Sequence, residues 1–147
     1  MLVKIVSLSS SDIHSLISSL DVELASRLSQ SVDLNEYSIK LSHNAKFIVA
    51  YHGEMIVGLI AFYENIKNML LYVPYICTSA DHRRQGIGKA LMETLLTYAD
   101  SIGYTIELEV LKINYVAIIL YRGYGFKVCS DDRNKFRMKR DIDDRIK

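Results

Sequence analysis

The sequence has little of what would place it in several large classes. It holds two cysteines, and neither Cys77 nor Cys129 has a histidine or second cysteine at metal-ligand spacing. That excludes a disulfide framework and a zinc module, predicts no metal, and leaves two reduced core thiols. There is one proline, with no low-complexity tract and no internal repeat, so secondary structure is expected to run continuously. No apolar run approaches the ~18 residues of a membrane-spanning helix, and Met1–Val6 has no charged leader ahead of a long apolar core. A net charge of +1, from 18 basic and 17 acidic residues, gives the whole chain no pull toward nucleic acid or an anionic membrane. Any polyanion site must be local, and the expectation is a soluble, cytoplasmic protein.

What the chain does have is apolar material. Half of its residues are hydrophobic, which at 147 residues suffices for one packed core and a single domain over 1–147. Val3–Val6 alternates like a strand, and Ser9–Asp12 offers helix caps ahead of Ile13, Leu16, Ile17 and Leu20. Further helical stretches are expected at Leu24–Leu28 and Leu34–Leu41. Lys46–Tyr51 and Met55–Tyr63 read as a hairpin turning at His52-Gly53, followed by a strand over Met69–Thr78. Gly86–Ile102 is amphipathic, carrying Ile87, Leu91, Leu95, Tyr98 and Ile102 on one side, and Gly103 is placed to stop it. Thr105–Val110 reads as a strand, Tyr115–Arg122 as a short helix, and Phe126–Ser130 with Lys135–Lys139 as a final antiparallel pair. This order makes a mixed α/β protein whose strand-helix-strand crossover pairs two strands in parallel.

The most informative stretch is Asp81 to Leu91, a glycine-containing loop that opens the long helix. The first amides of a helix lack intrahelical partners and sit at the positive end of its dipole, so such a loop is a pocket for anionic oxygens. Gly86 and Gly88 carry no Cβ to block a pyrophosphate, and Arg83, Arg84 and Lys89 add positive charge. The spacing matches neither a Walker loop nor a dinucleotide fingerprint.

The loop resembles the Gln/Arg-x-x-Gly-x-Gly/Ala motif of the GCN5-related N-acetyltransferase (GNAT) superfamily, as Arg83-x-x-Gly86-x-Gly88. A second block, Asn114 through Ala117 and Tyr121 to Gly125-Phe126, resembles the family's downstream pattern in the same order. The resemblance implies a GNAT-like fold: one mixed central sheet of about seven strands flanked by helices, the fourth and fifth strands splayed. It implies acetyl-CoA as cofactor, with the pyrophosphate held by Arg83, Arg84, Gln85, Gly86, Ile87, Gly88 and Lys89. It also implies that Ile76, Cys77 and Thr78 face the pantetheine and thioester, and that an amide near Ile76 steadies the oxyanion. Asn114 contacts the cofactor or caps its helix. Tyr121 hydrogen-bonds the coenzyme sulfur and protonates the departing thiolate, a task suited to a phenol whose ordinary pKa is about 10; packing beside Phe126 is the structural alternative.

The resemblance fails at the general base. Relatives place a carboxylate on the fourth strand near its bulge, where this chain has Pro74 and Tyr75. Pro74 marks either that bulge or the end of the strand. Glu64, Tyr75, Tyr72 or a water chain are candidates for deprotonation. Glu107 and Glu109 share one face of a strand, and His43 and His82 are of the residue type that exchanges protons near neutrality. Tyr51, Tyr63, Tyr72 and Tyr75 either line an acceptor pocket or are ordinary strand residues. The expected activity is acetyl transfer to a primary amine by direct attack in a ternary complex. A small-molecule acceptor is favoured over a protein, and the C-terminal strands offer a homodimer surface. The alternatives are a non-catalytic acyl-CoA sensor, or an acyltransferase using a different acyl-CoA or a hydroxyl acceptor.

Overall fold

The structure, a computed structural model, describes residues 1–20, 34–82 and 85–142. Helix α1 (Ser10–Leu20) begins at a cap: the Ser9 hydroxyl accepts from the Asp12 amide at 3.1 Å and the Ser9 carbonyl from the Ile13 amide at 3.0 Å. Its Ile13 and Ile17, one turn apart, are fully buried. The expected helix at Leu24–Leu28 lies outside the described residues. Helix α2 (Leu34–Asn44) runs directly into strand β2 (Ala45–His52), which pairs antiparallel with both β1 (Leu2–Val6) and β3 (Met55–Asn65). The β2–β3 turn falls on Gly53-Glu54, one residue later than His52-Gly53, because the ladder closes at His52↔Met55 and Gly53 takes a φ of +63°.

Strand β4 (Leu70–Thr78) continues past Pro74, so the proline does not end it. A 3-10 turn (Ala80–His82) leads toward helix α3 (Ile87–Ile102), followed by β5 (Thr105–Leu111), α4 (Tyr115–Gly123), β6 (Lys127–Asp132) and β7 (Lys135–Arg140). The strands form one seven-stranded mixed sheet in the order β1-β2-β3-β4-β5-β7-β6. The expected parallel pair is β4–β5, with partners from Leu70↔Thr105 to Val73↔Leu108. That ladder stops where Pro74 stands, while β5 stays paired to β7 as far as Leu111↔Lys135. A residue without an N–H thus stands where that ladder ends.

Two compact units make up the chain: Met1–Tyr63 with Tyr75–Leu95, and Glu64–Pro74 with Leu96–Lys147. In the first, Ile13, Ile17, Leu34 and Leu41 pack onto Phe47, Val49, Leu59 and Ala61, together with Tyr75 and Cys77 of β4. Gly58 is glycine for lack of space: a Cβ there would stand 2.7 Å from Ile87 Cγ2 and 2.9 Å from Leu91 Cδ1, so its absence lets the start of α3 lie against β3. In the second unit, the carboxylate of Asp100 of α3 accepts from Nη1 and Nη2 of Arg140, at 2.9 and 3.1 Å. Among the described residues no helix is long and apolar enough to cross a membrane.

The expectation of two core thiols needs a correction. Cys77 is buried but Cys129 is exposed, because β6 is the edge strand and every one of its residues is exposed. The β6–β7 register slips between Val128 and Ser130, and Cys129 is the residue passed over.

Candidate functional site

Helix α3 opens on Gly86, whose carbonyl accepts from the Ala90 amide at 3.0 Å. The amides of Ile87, Gly88 and Lys89 therefore make up the first turn, which by helix geometry has no intrahelical acceptor. Gly86 has a φ of +77° with no protein atom within 4 Å of where a Cβ would be, so its backbone conformation by itself calls for glycine. Gln85, Gly86 and Lys89 are exposed, Gly88 is half-buried, and the buried Ile87 side chain anchors the turn. No acidic side chain stands in that first turn, leaving the positive end of the helix uncompensated by its own residues. These donors fit the anionic oxygens of a pyrophosphate; Arg83 and Arg84 lie outside the described residues.

Upstream, Ile76 and Thr78 are half-buried and Cys77 is 8% exposed. The Ser79 amide donates to the Val57 carbonyl at 2.8 Å, and Nδ1 of His82 lies 3.2 Å from the Ser79 hydroxyl, so the approach to the loop is tied down from β3. Tyr75 belongs to the apolar cluster under α1 and α2, against which Tyr51 and Tyr63 also pack. These three are strand residues of a core, while Tyr72 belongs to the second unit.

In that second unit Asn114 caps α4: its side-chain oxygen accepts from the Ala117 amide at 3.2 Å. The helix ends with the Tyr124 and Phe126 amides both bonded to the Tyr121 carbonyl, at 3.0 and 3.1 Å, while Gly125 turns the chain at a φ of +94°. That return lays Phe126 against Tyr121, with ring centroids 5.7 Å apart. The Gly-Phe pair thus holds the tyrosine in place. Tyr121 is 8% exposed, and burial pushes its phenol up to about 12. It stays protonated at neutral pH and so has a proton to donate.

The carboxylates differ in what already holds them. Glu64 accepts a hydrogen bond from the Tyr98 hydroxyl. Tyr72, Glu107 and Glu109 share a sheet face with Arg137 and Lys139, through the pairs Tyr72↔Glu107, Glu107↔Lys139 and Glu109↔Arg137. Arg137 donates from Nε to Glu107 at 3.0 Å and lies 5.1 Å from the centre of the Tyr72 ring. Burial raises the Tyr72 phenol, Glu109 and Glu107 raise it further, and Arg137 pulls the other way. Glu109, 40% exposed, has its cations only at 3.9 Å, one from Arg137 and one from Lys135. Those distances exceed a direct hydrogen bond and leave its oxygens able to accept. Arg137 is the site residue that the sequence did not single out. The available signal was alternation, since Lys135, Arg137 and Lys139 repeat with the same period as Glu107 and Glu109. His43 is exposed at the end of α2.

Comparison with known proteins matches this arrangement of loop, helix and sheet. The acetyltransferase (GNAT) family model matches residues 12–126. N-acetyltransferase family 8 member 3 of Mus musculus is 34% identical over 92 residues, covering 58% of this chain and 40% of that protein. N-acetyltransferase 8 of Homo sapiens is 34% identical over 86 residues, covering 55% and 38%. The matches thus span about two fifths of the length of these curated relatives. Among solved structures, the PaiA N-acetyltransferase from Thermoplasma acidophilum in complex with coenzyme A superposes with a TM-score of 0.77 at 18% identity, covering 97% of this chain and 100% of that one. The ribosomal-protein-S18-alanine N-acetyltransferase from Escherichia coli gives 0.76 at 19%, covering 96% and 94%. With a family model that matches residues 12–126, most of its length, the chain belongs to the GNAT acetyltransferase family.

Proposed function

We propose that this protein is an acetyl-CoA-dependent N-acetyltransferase acting on a small primary amine. The observation that carries the proposal is the first turn of α3: amides without intrahelical acceptors, glycine at the cap and at the second helical position, a lysine at the third, and no acid to compete. Gln85 to Lys89 would hold the pyrophosphate, and Ile76 to Thr78 would offer backbone groups to the pantetheine. Bound acetyl-CoA supplies an activated thioester, from which the acetyl group passes to the amine with the thiolate as leaving group. Tyr121 donates its hydrogen bond to the leaving sulfur, and its raised pKa keeps the proton in place until negative charge develops there.

The acceptor enters as an ammonium and must lose a proton before it attacks. Glu109 is the carboxylate whose oxygens are least engaged, since Glu107 is bonded to Arg137 and Glu64 to Tyr98. It pairs with the ammonium and takes its proton directly or through water. Arg137 faces it across the β5–β7 pair at 3.9 Å.

The test is calorimetric titration with acetyl-CoA of the wild type, Gly88→Ala and Gly88→Glu, followed by an amine screen that reads free thiol. Position 88 is preferred over Gly86, where the positive φ would strain any side chain. A Cβ at Gly88 meets only the Thr78 hydroxyl, at 4.0 Å. Stoichiometric binding by the wild type, abolished in Gly88→Glu, supports the proposal. A folded wild type that takes up no acetyl-CoA defeats it, and binding without thiol release from any amine points to a sensor.

A further inference from the structure

We propose that the second unit carries a separate binding site for a small phosphate monoester, in a depression of about 430 Å³ beside the β6–β7 hairpin. Lys127, Cys129 and Lys139 line it, with Thr105, Gly125 and Asp141. The volume falls within the roughly 300–1,000 Å³ usual for small-molecule sites. None of these residues belongs to the α3 loop, and Tyr121 is not among them.

The charge arrangement selects the ligand. Lys127 and Lys139 are direct partners across the antiparallel pair. Like charges directly opposite on neighbouring strands repel, and a bound anion removes that penalty. Lys127 has no ion-pair partner among the described residues. Lys139 lies 3.5 Å from Asp141, but the two side chains are 42% and 73% exposed. A pair that open contributes little and exchanges readily for a ligand oxygen. Glu107, the partner of Lys139 on β5, is already bonded to Arg137 at 3.0 Å. Among the described residues Asp141 is the one carboxylate lining the depression, and the cations exceed the anions by one. The two ammoniums can only donate and the Thr105 hydroxyl can donate as well, which calls for an anionic ligand with several acceptor oxygens on one group. A phosphate monoester meets this, since three oxygens on one phosphorus can accept from Lys127, Lys139 and Thr105 together, one more than a carboxylate offers. The remaining space, with Ile142 on its wall, takes the ester's organic part.

Cys129 makes the site readable. It is exposed while Cys77 is buried, so alkylation by iodoacetamide, followed by intact mass, reports the depression with an internal slow control. Glucose 6-phosphate should slow Cys129 labelling about tenfold at saturation by covering the thiol. Lys127→Gln should raise the half-protecting concentration about tenfold, the order expected for losing one charge-assisted contact. Gly88→Glu should change neither figure. Inorganic phosphate as a second probe separates the sources: protection by both identifies the phosphate group as what the lysines read, while protection by the ester alone assigns a role to its organic part. Equal protection by sodium chloride at matched ionic strength overturns the proposal, as does undiminished protection in Lys127→Gln, or protection lost only in Gly88→Glu. A melting series checks the premise independently. Lys127→Thr should raise the midpoint without ligand, and glucose 6-phosphate should raise that of the wild type alone; a lower midpoint in the unliganded variant overturns the like-charge argument.

Discussion

At the scale of single residues, Tyr121 carries the sharpest expectations. Tyr121→Phe keeps the buried ring against Phe126 and removes only the hydroxyl, so the amine-dependent rate should fall about 100-fold while acetyl-CoA affinity and thermal stability hold. A loss of stability with unchanged turnover would reduce the residue to packing. The pKa of about 12 also has a stability consequence. The unfolded phenol ionises near pH 10 and the folded one two units higher, so the folded state binds an extra proton between those values and stability falls as pH rises through that window. Ionising the buried phenol therefore costs the folded state about 3 kcal/mol between pH 10 and pH 12, a loss that alkaline unfolding of the wild type should show and that of Tyr121→Phe should not. Glu109→Gln should lower the amine-dependent rate about 100-fold with acetyl-CoA affinity unchanged, whereas Glu64→Gln should leave the rate near that of the wild type. The opposite result would move the base to Glu64.

At the scale of elements, two contacts set where α3 and α4 begin. Gly58→Val forces a side chain into the space held by Ile87 and Leu91, and Ile87 is β-branched and stiff. The cost should be about 1–3 kcal/mol in denaturant unfolding, with weaker acetyl-CoA binding because the first turn of α3 is pushed off β3. An affinity equal to that of the wild type would detach the loop from this packing. Asn114→Ala should cost about 1 kcal/mol through the lost cap, and Asn114→Asp should restore it. If Asp restores stability but not affinity, Asn114 also touches the cofactor. Much of this scale was legible in the sequence. Ser9, Asn114, Gly86 and Gly103 act on the backbone within four residues of themselves, and Ile13 and Ile17 repeat with the helix turn. The hairpin turn slipped by one residue because only the register of two paired strands decides which residues are left over.

At the scale of the whole molecule, Arg140 ties β7 to Asp100 of α3 and to the Tyr124 carbonyl after α4, and its side chain is 12% exposed. Arg140→Met leaves Asp100 without its cation and should cost about 3 kcal/mol. Arg140→Lys should recover little of it, since an ammonium cannot span both carboxylate oxygens and the Tyr124 carbonyl. Chemical denaturation of the two variants gives the answer, and full recovery by lysine would show that charge alone matters.

The sequence by itself determined the periodic elements, the two motif blocks and the helix stop at Gly103, because periodicity and local backbone signals are properties of neighbouring residues. Tertiary structure alone decided that β7 lies between β5 and β6, which exposes Cys129 on the edge strand. The same insertion sets Arg137 beside Glu107 and Glu109, and folding brings Tyr98 to Glu64. These partners stand about thirty residues apart in the chain, so what each side chain meets depends on strand order and register, which no local pattern of residues encodes.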